Sequence, residues 1–282
     1  MSAPSPRYVP AANGRPVDLR STTVLPLGEF HASILDAVAA GLRVSALFGA
    51  TAEGATDLWA VLSDDQRTGL RIMKSRIEGD AAPSLTPRCP QVHLFEREIA
   101  EQFGIRFEGH PWFKPVRYHA SWKAGRDAWN RSEAPAVGVA DFYRVEGEEI
   151  HEVAVGPVHA GVIEPGHFRF QCHGEEVLHL EISLGYQHRG VERALLGGPT
   201  KRTLPYMETL AGDTTIAHAT AYARILETLG RCQEPARAQV LRGIALELER
   251  LANHVGDLGA LAGDVGYLPT ASFCGRLRGD FL

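Results

Sequence analysis

Cysteine is scarce in this sequence, and its placement excludes the commonest cysteine-based sites. The four cysteines, Cys89, Cys172, Cys232 and Cys274, include no pair at C-x-x-C spacing. This argues against a zinc knuckle or an iron–sulfur cluster held by this chain alone. Thiols without a close partner in the sequence also fit a reducing compartment.

Long apolar runs, clustered basic residues and a dinucleotide fingerprint are missing as well. No run approaches the roughly 18 apolar residues of a membrane-spanning helix, and the start, MSAPSPRYVPAANGRP, has no signal-peptide core. The basic residues are dispersed and the net charge is −5, so nucleic acid is not expected as a partner. The G-x-G-x-x-G pattern that binds NAD does not occur. These absences predict a soluble cytoplasmic protein that reaches a membrane only through partners.

The chain is long enough for more than one domain. Its 282 residues, 44% of them hydrophobic, correspond to about two domains. Residues 1–22 are rich in Pro, Ser and Ala, which predicts a disordered N-terminus. In residues 23–110 a helix at 28–41 and a second helix ending near Gly104 flank three strands, at 42–50, 56–64 and 69–77. This order predicts an α+β protein whose N-terminal domain is a small α/β sandwich.

The next stretch, residues 111–150, has no regular period and carries Trp112, Trp122 and Trp129. Solvated linkers seldom hold three tryptophans. We therefore expect an extended connector that packs its aromatic side chains against a neighbouring structure.

Residues 151–282 begin with the clearest strand signal and continue with helices. Apolar residues alternate over 168–172 and 178–182 around a turn at Gly174, which predicts a hairpin with one apolar face. Residues 235–259 carry apolar side chains at spacings of three and four, at Leu241, Ile244, Leu248, Leu251, Val255 and Leu258. We expect a β-hairpin leading into a helical bundle. The ending, GRLRGDFL, has no cap or polar tail, which favours an incomplete second module.

Histidines are concentrated at the start of this second part. Six of the twelve lie between positions 151 and 188, but no pair of them has the i, i+4 spacing of a zinc-binding helix, so metal binding is not expected. His159 and Glu164 lie on a loop whose glycines and prolines lead into the hairpin. A histidine there can donate a proton or bind a ligand. An exposed histidine on a structural loop is an equally good interpretation.

Charged residues cluster at two further places. GYQHRGVER puts His188, Arg189 and Glu192 at a strand-to-helix junction, where they form either a surface ion pair or the charged lining of a cavity. The helix in LFEREIAEQF carries four charged residues: Glu96, Arg97, Glu98 and Glu101. Taken alone, that group is interpreted as a solvated helix face.

The stretch LPYMETLAGDTTIAHATAY, residues 204–222, has the pattern of a turn that leads into a helix. Pro205 is expected to end one element, and Asp213 or Thr214 to cap the next. Small and hydroxylated residues at the start of a helix often hold an anion or a cofactor, and they also often hold nothing.

Several of these strings together resemble one family of subunits. FEREIAEQFGIRFEGHP resembles the 30 kDa subunit of respiratory complex I, the NADH–quinone oxidoreductase. GPVHAGVIEPGHFRF, LEISLGYQHRGVE and LERLANHVGDLGALAGDVGYLPT resemble its 49 kDa subunit. They resemble even more closely the large subunits of group 4, formate-hydrogenlyase-type nickel–iron hydrogenases, in which the two modules are fused in this order. The resemblance covers about residues 25–282 and includes roughly the first third of the second module.

The resemblance implies that the stretch after LPY is a vacated site. Complex I relatives carry an Asp-Tyr pair there, whose Tyr binds the quinone head group, and this sequence has Ala211 and Gly212 instead. The hydrogenases carry C-G-x-C, whose thiolates hold nickel, and here the cysteine positions are Ala211 and Thr214. Neither residue offers the soft thiolate that such a metal needs.

Other residues of the resembling strings are retained. His159 matches a loop histidine that lines the quinone pocket, so His159 and His188 are the candidates for proton or quinone chemistry. The cavity-lining candidates are Gly212, Thr214, Glu164, Arg189 and Glu192. No metal ligand is expected.

The resemblance implies a subunit of a membrane-associated, complex I-like oxidoreductase that couples electron transfer to ion translocation. A quinone is the candidate acceptor, and an iron–sulfur cluster is expected in a small partner subunit rather than in this chain. Antiporter-like membrane subunits are the other expected partners, with this chain peripheral on the cytoplasmic face of the inner membrane. The alternatives are a structural, non-catalytic coupling subunit and a truncated fragment of a hydrogenase-4 type large subunit. An active nickel–iron hydrogenase is disfavoured by the missing thiolates.

Overall fold

A computed structural model of the chain describes residues 7–52, 54–123, 127–131, 141–157 and 165–282. These residues form two compact units. The first comprises the described residues up to 157 together with 165–187, and it mixes helices with sheets. The second comprises residues 188–282 and is helical. The predicted α+β class is therefore confirmed, with sheets first and helices after them. The domain boundaries expected at residues 110 and 150 stay predictions.

The described part of the first unit contains ten strands and two α-helices. The strands are β1 (Val9–Ala12), β2 (Val24–Leu25), β3 (Arg43–Ala52), β4 (Ala55–Asp64), β5 (Gly69–Ile77), β6 (Ala81–Pro83), β7 (Arg106–Glu108), β8 (Ile150–Val155), β9 (His167–His173) and β10 (Glu176–Ser183). The helices are α1 (Leu27–Ala39) and α2 (His93–Phe103). The helix–strand–helix order predicted for residues 23–110 is confirmed.

The largest sheet has five strands and shares its core with both helices. Strands β3, β4 and β5 pair antiparallel in sequence order, while β1 pairs antiparallel and β2 parallel with the other side of β5. Most of β4 is buried, and its alternate residues Leu58, Ala60 and Leu62 belong to the same apolar core as Ile34 of α1 and Ile99 of α2. Period-two alternation on the strand and period-3.6 spacing on the helices thus produce one common core.

The expected disorder of residues 1–22 is wrong for residues 9–12. These residues form β1, whose backbone pairs with residues 69–72 of β5. The guanidinium of Arg71 lies 4.8 Å from the centre of the Tyr8 ring. Pro10 is tolerated because β1 is an edge strand, where a missing N–H costs no interior ladder bond. Composition suggested disorder, but an open side of β5 supplies pairing that the sequence does not show.

The interpretation of α2 as a solvated face is also wrong. Glu96, Arg97 and Glu101 are buried. Glu96 accepts hydrogen bonds from the Ser84 hydroxyl, the Leu85 N–H and the Thr86 hydroxyl, each at 2.6 Å. The charged groups are buried because loops fold over the helix and satisfy each of them, as buried charge requires.

The connector lies on the other charged residues of α2. Glu101 accepts the backbone N–H groups of residues 116, 117 and 118 at 3.2, 2.8 and 2.7 Å. Arg97 donates to the carbonyls of Lys114 and Pro115 at 2.6 and 2.9 Å. Glu98 forms an ion pair with Arg117 at 3.0 Å. The side chains of α2 therefore determine the path of the connector.

The connector tryptophans pack as predicted. The Trp112 ring stacks on His93 with 6.3 Å between centroids, and the Trp129 ring lies 4.7 Å from Phe113. Trp122 packs against the main core. The described residues between β7 and β8 contain no helix or strand, so the connector is held by side chains rather than by a backbone ladder.

The predicted hairpin exists, as β9 and β10 around Gly174, and β8 adds a third strand next to β9. Its faces differ from expectation. Leu178 and Leu180 are more than 40% exposed, whereas Gln171 and Glu181 on the other face are buried. The connector covers this polar face.

Glu181 shows why burial on that side is tolerated. It accepts hydrogen bonds from the Lys114 ammonium and from the Tyr143 N–H, the latter at 2.9 Å. Burial by itself raises the pKa of Glu181, but these donors outweigh it, and the net effect is a lowered pKa. A buried carboxylate with this many donors is compatible with a folded protein.

We expect His110 to make the stability of the first unit dependent on pH. The backbone N–H of Trp112 donates to His110 Nδ1 at 3.0 Å, and Nε2 lies 3.2 Å from the His93 carbonyl, so the neutral ring satisfies both contacts. Burial lowers the pKa of His110, and burial likewise lowers that of His93. The unfolded chain then binds more protons just below the ordinary histidine pKa of about 6.5.

We therefore expect the free energy of unfolding of the first unit to fall as the pH is lowered from 7 to 5.5. All four tryptophans lie in this unit, so tryptophan fluorescence during urea titration reports on it selectively. The His110→Gln variant, which keeps a donor and an acceptor but cannot titrate, should show a weaker pH dependence. If His110→Gln left the pH dependence of the free energy of unfolding unchanged, His110 would not be its source.

The second unit contains five α-helices within its described residues: α3 (Val191–Ala194), α4 (Thr203–Glu208), α5 (Thr215–Gly230), α6 (Ala236–Asp264) and α7 (Leu268–Phe281). The predicted helix at 235–259 is confirmed as α6. Pro235 is its N-cap, where a missing N–H costs nothing. The α6 and α7 helices approach closely at Gly259, since a Cβ there would lie 2.9 Å from Cys274 Cβ.

The apolar stripe predicted for the bundle is not buried in this unit. Five of its six members are 40–58% exposed: Leu241, Ile244, Leu248, Leu251 and Leu258. The periodicity correctly identified the helix and its apolar side, but burial requires a facing element, and none of the described residues supplies one. No described helix combines the length and the apolarity that a membrane span requires.

Candidate functional site

The stretch after LPY forms a loop between α4 and α5. Pro205 does not end an element as predicted; it lies in the first turn of α4, where a residue without an N–H is tolerated. Residues Gly212–Thr214 make one 3₁₀ turn, closed by the Thr214 N–H donating to the Ala211 carbonyl at 3.0 Å. Gly212 is exposed, and a Cβ there would meet nothing within 4 Å. The backbone of Gly212 is therefore accessible from solvent.

Arg189 holds the residues that precede this turn. Its guanidinium donates to the carbonyls of Thr209 and Leu210, the second at 3.3 Å. Two carbonyls at the end of a short helix leave acceptors that a cation can satisfy. The structure thus brings the predicted Arg189 to the backbone just before the predicted Gly212. The 185–193 cluster was expected to form an ion pair or to line a cavity. Arg189 instead holds the backbone of Thr209 and Leu210.

His188 and Glu192 lie beside Arg189 in sequence. His188 Nδ1 accepts the Gly190 N–H at 3.2 Å, which stabilises the turn that begins α3. Gly190 has φ +68°, a conformation that glycine adopts at little cost. Glu192 is exposed in the first turn of α3, where its carboxylate interacts favourably with the helix dipole. The other two predicted residues, His159 and Glu164, lie outside the described residues.

Thr214 is the N-cap of α5, as predicted, but its side chain does not cap the helix. The hydroxyl lies 2.9 Å from His218 Nδ1, and the same nitrogen lies 2.8 Å from the Thr214 carbonyl. The side chain of Ala211 offers no ligand atom. Neither position supplies a thiolate, and a nickel–iron centre needs soft sulfur ligands, so the residues present do not fit that centre. No group of three metal-binding side chains occurs within the described ranges.

Three residues that sequence reasoning missed hold this loop from α6 and α7. Glu249 accepts the N–H groups of Ile216 and Ala217 at 2.5 and 3.2 Å. Asn253 donates to the Asp213 carbonyl at 2.6 Å, and Arg278 donates to the Asp213 carboxylate at 2.9 Å. The available signal was weak: Glu249 and Asn253 are four residues apart on α6, which places them on one side of the helix, but other charged residues occur along the same helix.

The sequence matches known oxidoreductase components over most of its length. Residues 41–129 match the family model for the respiratory-chain NADH dehydrogenase 30 kDa subunit. The chain is 30% identical over 207 residues to formate hydrogenlyase subunit 5 of Escherichia coli (strain K12), covering 68% of this chain and 36% of that protein. It is 30% identical over 229 residues to hydrogenase-4 component G of the same organism, covering 76% and 39%.

A third relative belongs to the quinone-linked enzymes. The C/D subunit of NADH-quinone oxidoreductase from Methylococcus capsulatus (strain ATCC 33009 / NCIMB 11132 / Bath) is 26% identical over 245 residues, covering 78% of this chain and 42% of that protein. The chain therefore spans about two fifths of the length of these relatives.

Along the chain, a small module of helices and sheets precedes a helical module. The family match and the relatives together support a fused 30 kDa/49 kDa-type, hydrogenase-related subunit, and this confirms the resemblance found in the sequence.

Proposed function

We propose that this chain is a subunit of a membrane-associated, complex I-like oxidoreductase that operates without a nickel–iron centre. The names of the relatives, which are hydrogenase components and a quinone oxidoreductase subunit, support the oxidoreductase assembly. The absence of a nickel–iron centre is inferred from the side chains at positions 211 and 214. The Ala211 side chain has no ligand atom, and Thr214 offers only a hydroxyl, which lies within hydrogen-bonding distance of His218.

Electron transfer in the proposed assembly begins in a small iron–sulfur partner subunit and ends on a quinone. His159 and His188 are the proposed proton- and quinone-binding residues. Arg189 holds the backbone beside Gly212, Thr214 closes the turn, and Glu164 and Glu192 complete the proposed lining. Antiporter-like membrane subunits would use the released free energy to move ions. The chain itself would be peripheral, on the cytoplasmic face of the inner membrane.

Metal content is the first test of this proposal. The native complex is captured from membranes through a tag on the N-terminus of this chain, and nickel and iron are measured by mass spectrometry. We expect several iron atoms per chain and no stoichiometric nickel. Stoichiometric nickel would overturn the proposal, because it would require ligands other than the vacated positions. Iron-free material without partner subunits would overturn the proposed assembly.

A structural, non-catalytic coupling subunit is the second candidate function. It is favoured by the contacts of the loop, because the polar groups of Thr214, Asp213 and Arg189 all contact other protein groups. Quinone reduction by the captured complex separates the two candidates. Under the catalytic proposal, His159→Ala lowers turnover at least tenfold, and the matched variant His173→Ala, at the exposed hairpin turn, does not. Equal turnover of both variants would favour the structural function.

A further inference from the structure

We propose that Glu249, Asn253 and Arg278 form a clamp that positions the loop 211–217, and that they are positioning residues for the candidate acceptor site. The clamp is a property of the second unit alone. Its role in catalysis rests on the proposed function of that loop. None of the three was among the predicted site residues, although Glu249 and Asn253 lie in the resembling string LERLANHVGDLGALAGDVGYLPT. Each contacts the loop directly.

The carboxylate of Glu249 takes over the capping of α5. The first N–H groups of a helix have no partner within the helix, and the N-cap side chain usually supplies one. Thr214 occupies the N-cap but makes no capping hydrogen bond. Glu249 accepts the N–H groups of Ile216 and Ala217 instead, and a negative charge at this end also favours the helix dipole. The start of α5 is thus held by a side chain of α6.

Asn253 and Arg278 hold the preceding turn at Asp213. Asn253 is one helical turn beyond Glu249, so both side chains leave α6 on the same side. The Asn253 side chain donates a hydrogen bond to the Asp213 carbonyl, and Arg278 donates one to the Asp213 carboxylate. The Arg278 side chain lies against α6 at Gly256, where a Cβ would come within 3.2 Å of its guanidinium nitrogen. Side chains of α6 and α7 therefore both bind Asp213.

The clamp makes the loop position depend on the α6–α7 helical hairpin. Arg189 fixes only the carbonyls that precede the turn, whereas the three clamp residues fix Asp213 and the start of α5. A group that is misplaced by about 1 Å can lower a reaction rate by up to a hundredfold. Loss of one clamp member should therefore lower acceptor turnover without removing any group that touches the acceptor.

The experiment compares Glu249→Gln with Glu247→Gln in the native complex. Glu247 is the matched control because it lies two residues away on α6, in an exposed ion pair with Arg250. Asn253→Leu is the second variant and removes the hydrogen bond without adding charge. Hydrogen–deuterium exchange of the amides of Ile216 and Ala217 is measured first. Reduction of a soluble quinone analogue is then measured as kcat and KM.

We expect exchange at these two amides to be about tenfold faster in Glu249→Gln and unchanged in Glu247→Gln. A tenfold change corresponds to about 1.4 kcal/mol, the size expected for a lost cap. The kcat/KM for the quinone should fall about tenfold in both Glu249→Gln and Asn253→Leu. Unchanged exchange in Glu249→Gln would overturn the clamp, whatever the activity. Faster exchange with unchanged kcat/KM would overturn the positioning role, while the metal content tests the proposed assembly separately.

Discussion

Replacing Glu101 with glutamine should destabilise the first unit by about 3–5 kcal/mol, the usual cost of breaking a buried charge network. The Glu101 side chain is fully buried. Its two oxygens accept the N–H groups of residues 116–118 and the guanidinium of Arg131, the last at 2.7 Å. Both oxygens face donors, so either orientation of a glutamine amide would point its NH₂ at an N–H group. Buried donors would then remain without an acceptor, and the Arg131 charge would lose one of its partners.

Glu108→Gln is the matched control for this prediction. Glu108 carries the same functional group in the same unit, but it is exposed, in a surface pair with Arg106 at 3.4 Å. Exposed pairs of this kind contribute about 0–1 kcal/mol. Urea unfolding of the full chain, followed by tryptophan fluorescence, should therefore show a large midpoint shift for Glu101→Gln and almost none for Glu108→Gln. Similar midpoints for the two variants would show that the connector is not held by α2.

Replacing Gly185 with alanine should destabilise the same unit by about 3 kcal/mol, for two reasons that add. Gly185 has φ +99°, which an L side chain rarely adopts and which costs an alanine about 1 kcal/mol. A Cβ at this position would also lie 2.5 Å from the Val116 carbonyl oxygen. That atom belongs to the backbone that Glu101 holds, so it cannot move freely, and overpacking of this kind costs about 1–3 kcal/mol.

Gly41→Ala separates the two contributions. Gly41 lies in the first unit with φ +89°, but a Cβ there would meet nothing within 4 Å. Gly41→Ala should therefore lower the free energy of unfolding only by the cost of the positive φ, about 1 kcal/mol. The measurement is the same urea titration on both variants. A Gly185→Ala midpoint equal to that of Gly41→Ala would mean that the connector does not approach this turn.

Local pattern predicted the elements of this protein well, because each element depends mainly on its own residues. Period-two alternation located β9 and β10, and spacings of three and four located α1 and α6. Burial was predicted less well, since it depends on what lies opposite. Leu180 alternates like a core residue and is exposed, whereas Glu181 beside it is buried because Lys114 and the Tyr143 N–H reach it.

The candidate site was predicted in part, for a similar reason. The strings after residue 185 pointed to Arg189, Gly212 and Thr214. In the structure Gly212 and Thr214 share one turn, and Arg189 donates to the carbonyls that precede it. Glu249 and Asn253 lie in a string that carried the resemblance, but nothing local gave them or Arg278 a role at the loop, because they lie 32 to 65 residues from the groups they bind. A hydrogen bond between residues so far apart leaves no periodic trace in the sequence.

Three conclusions required no coordinates. The α+β class follows from the order of the two periodicities, and the lack of a thiolate at positions 211 and 214 follows from residue identity. The resemblance to hydrogenase-related subunits follows from the combined strings. Tertiary structure alone decided which charges are buried and what holds the connector and the loop. Those outcomes depend on donors and acceptors meeting across long sequence separations, and the cost of burying each charge is acceptable only where they meet.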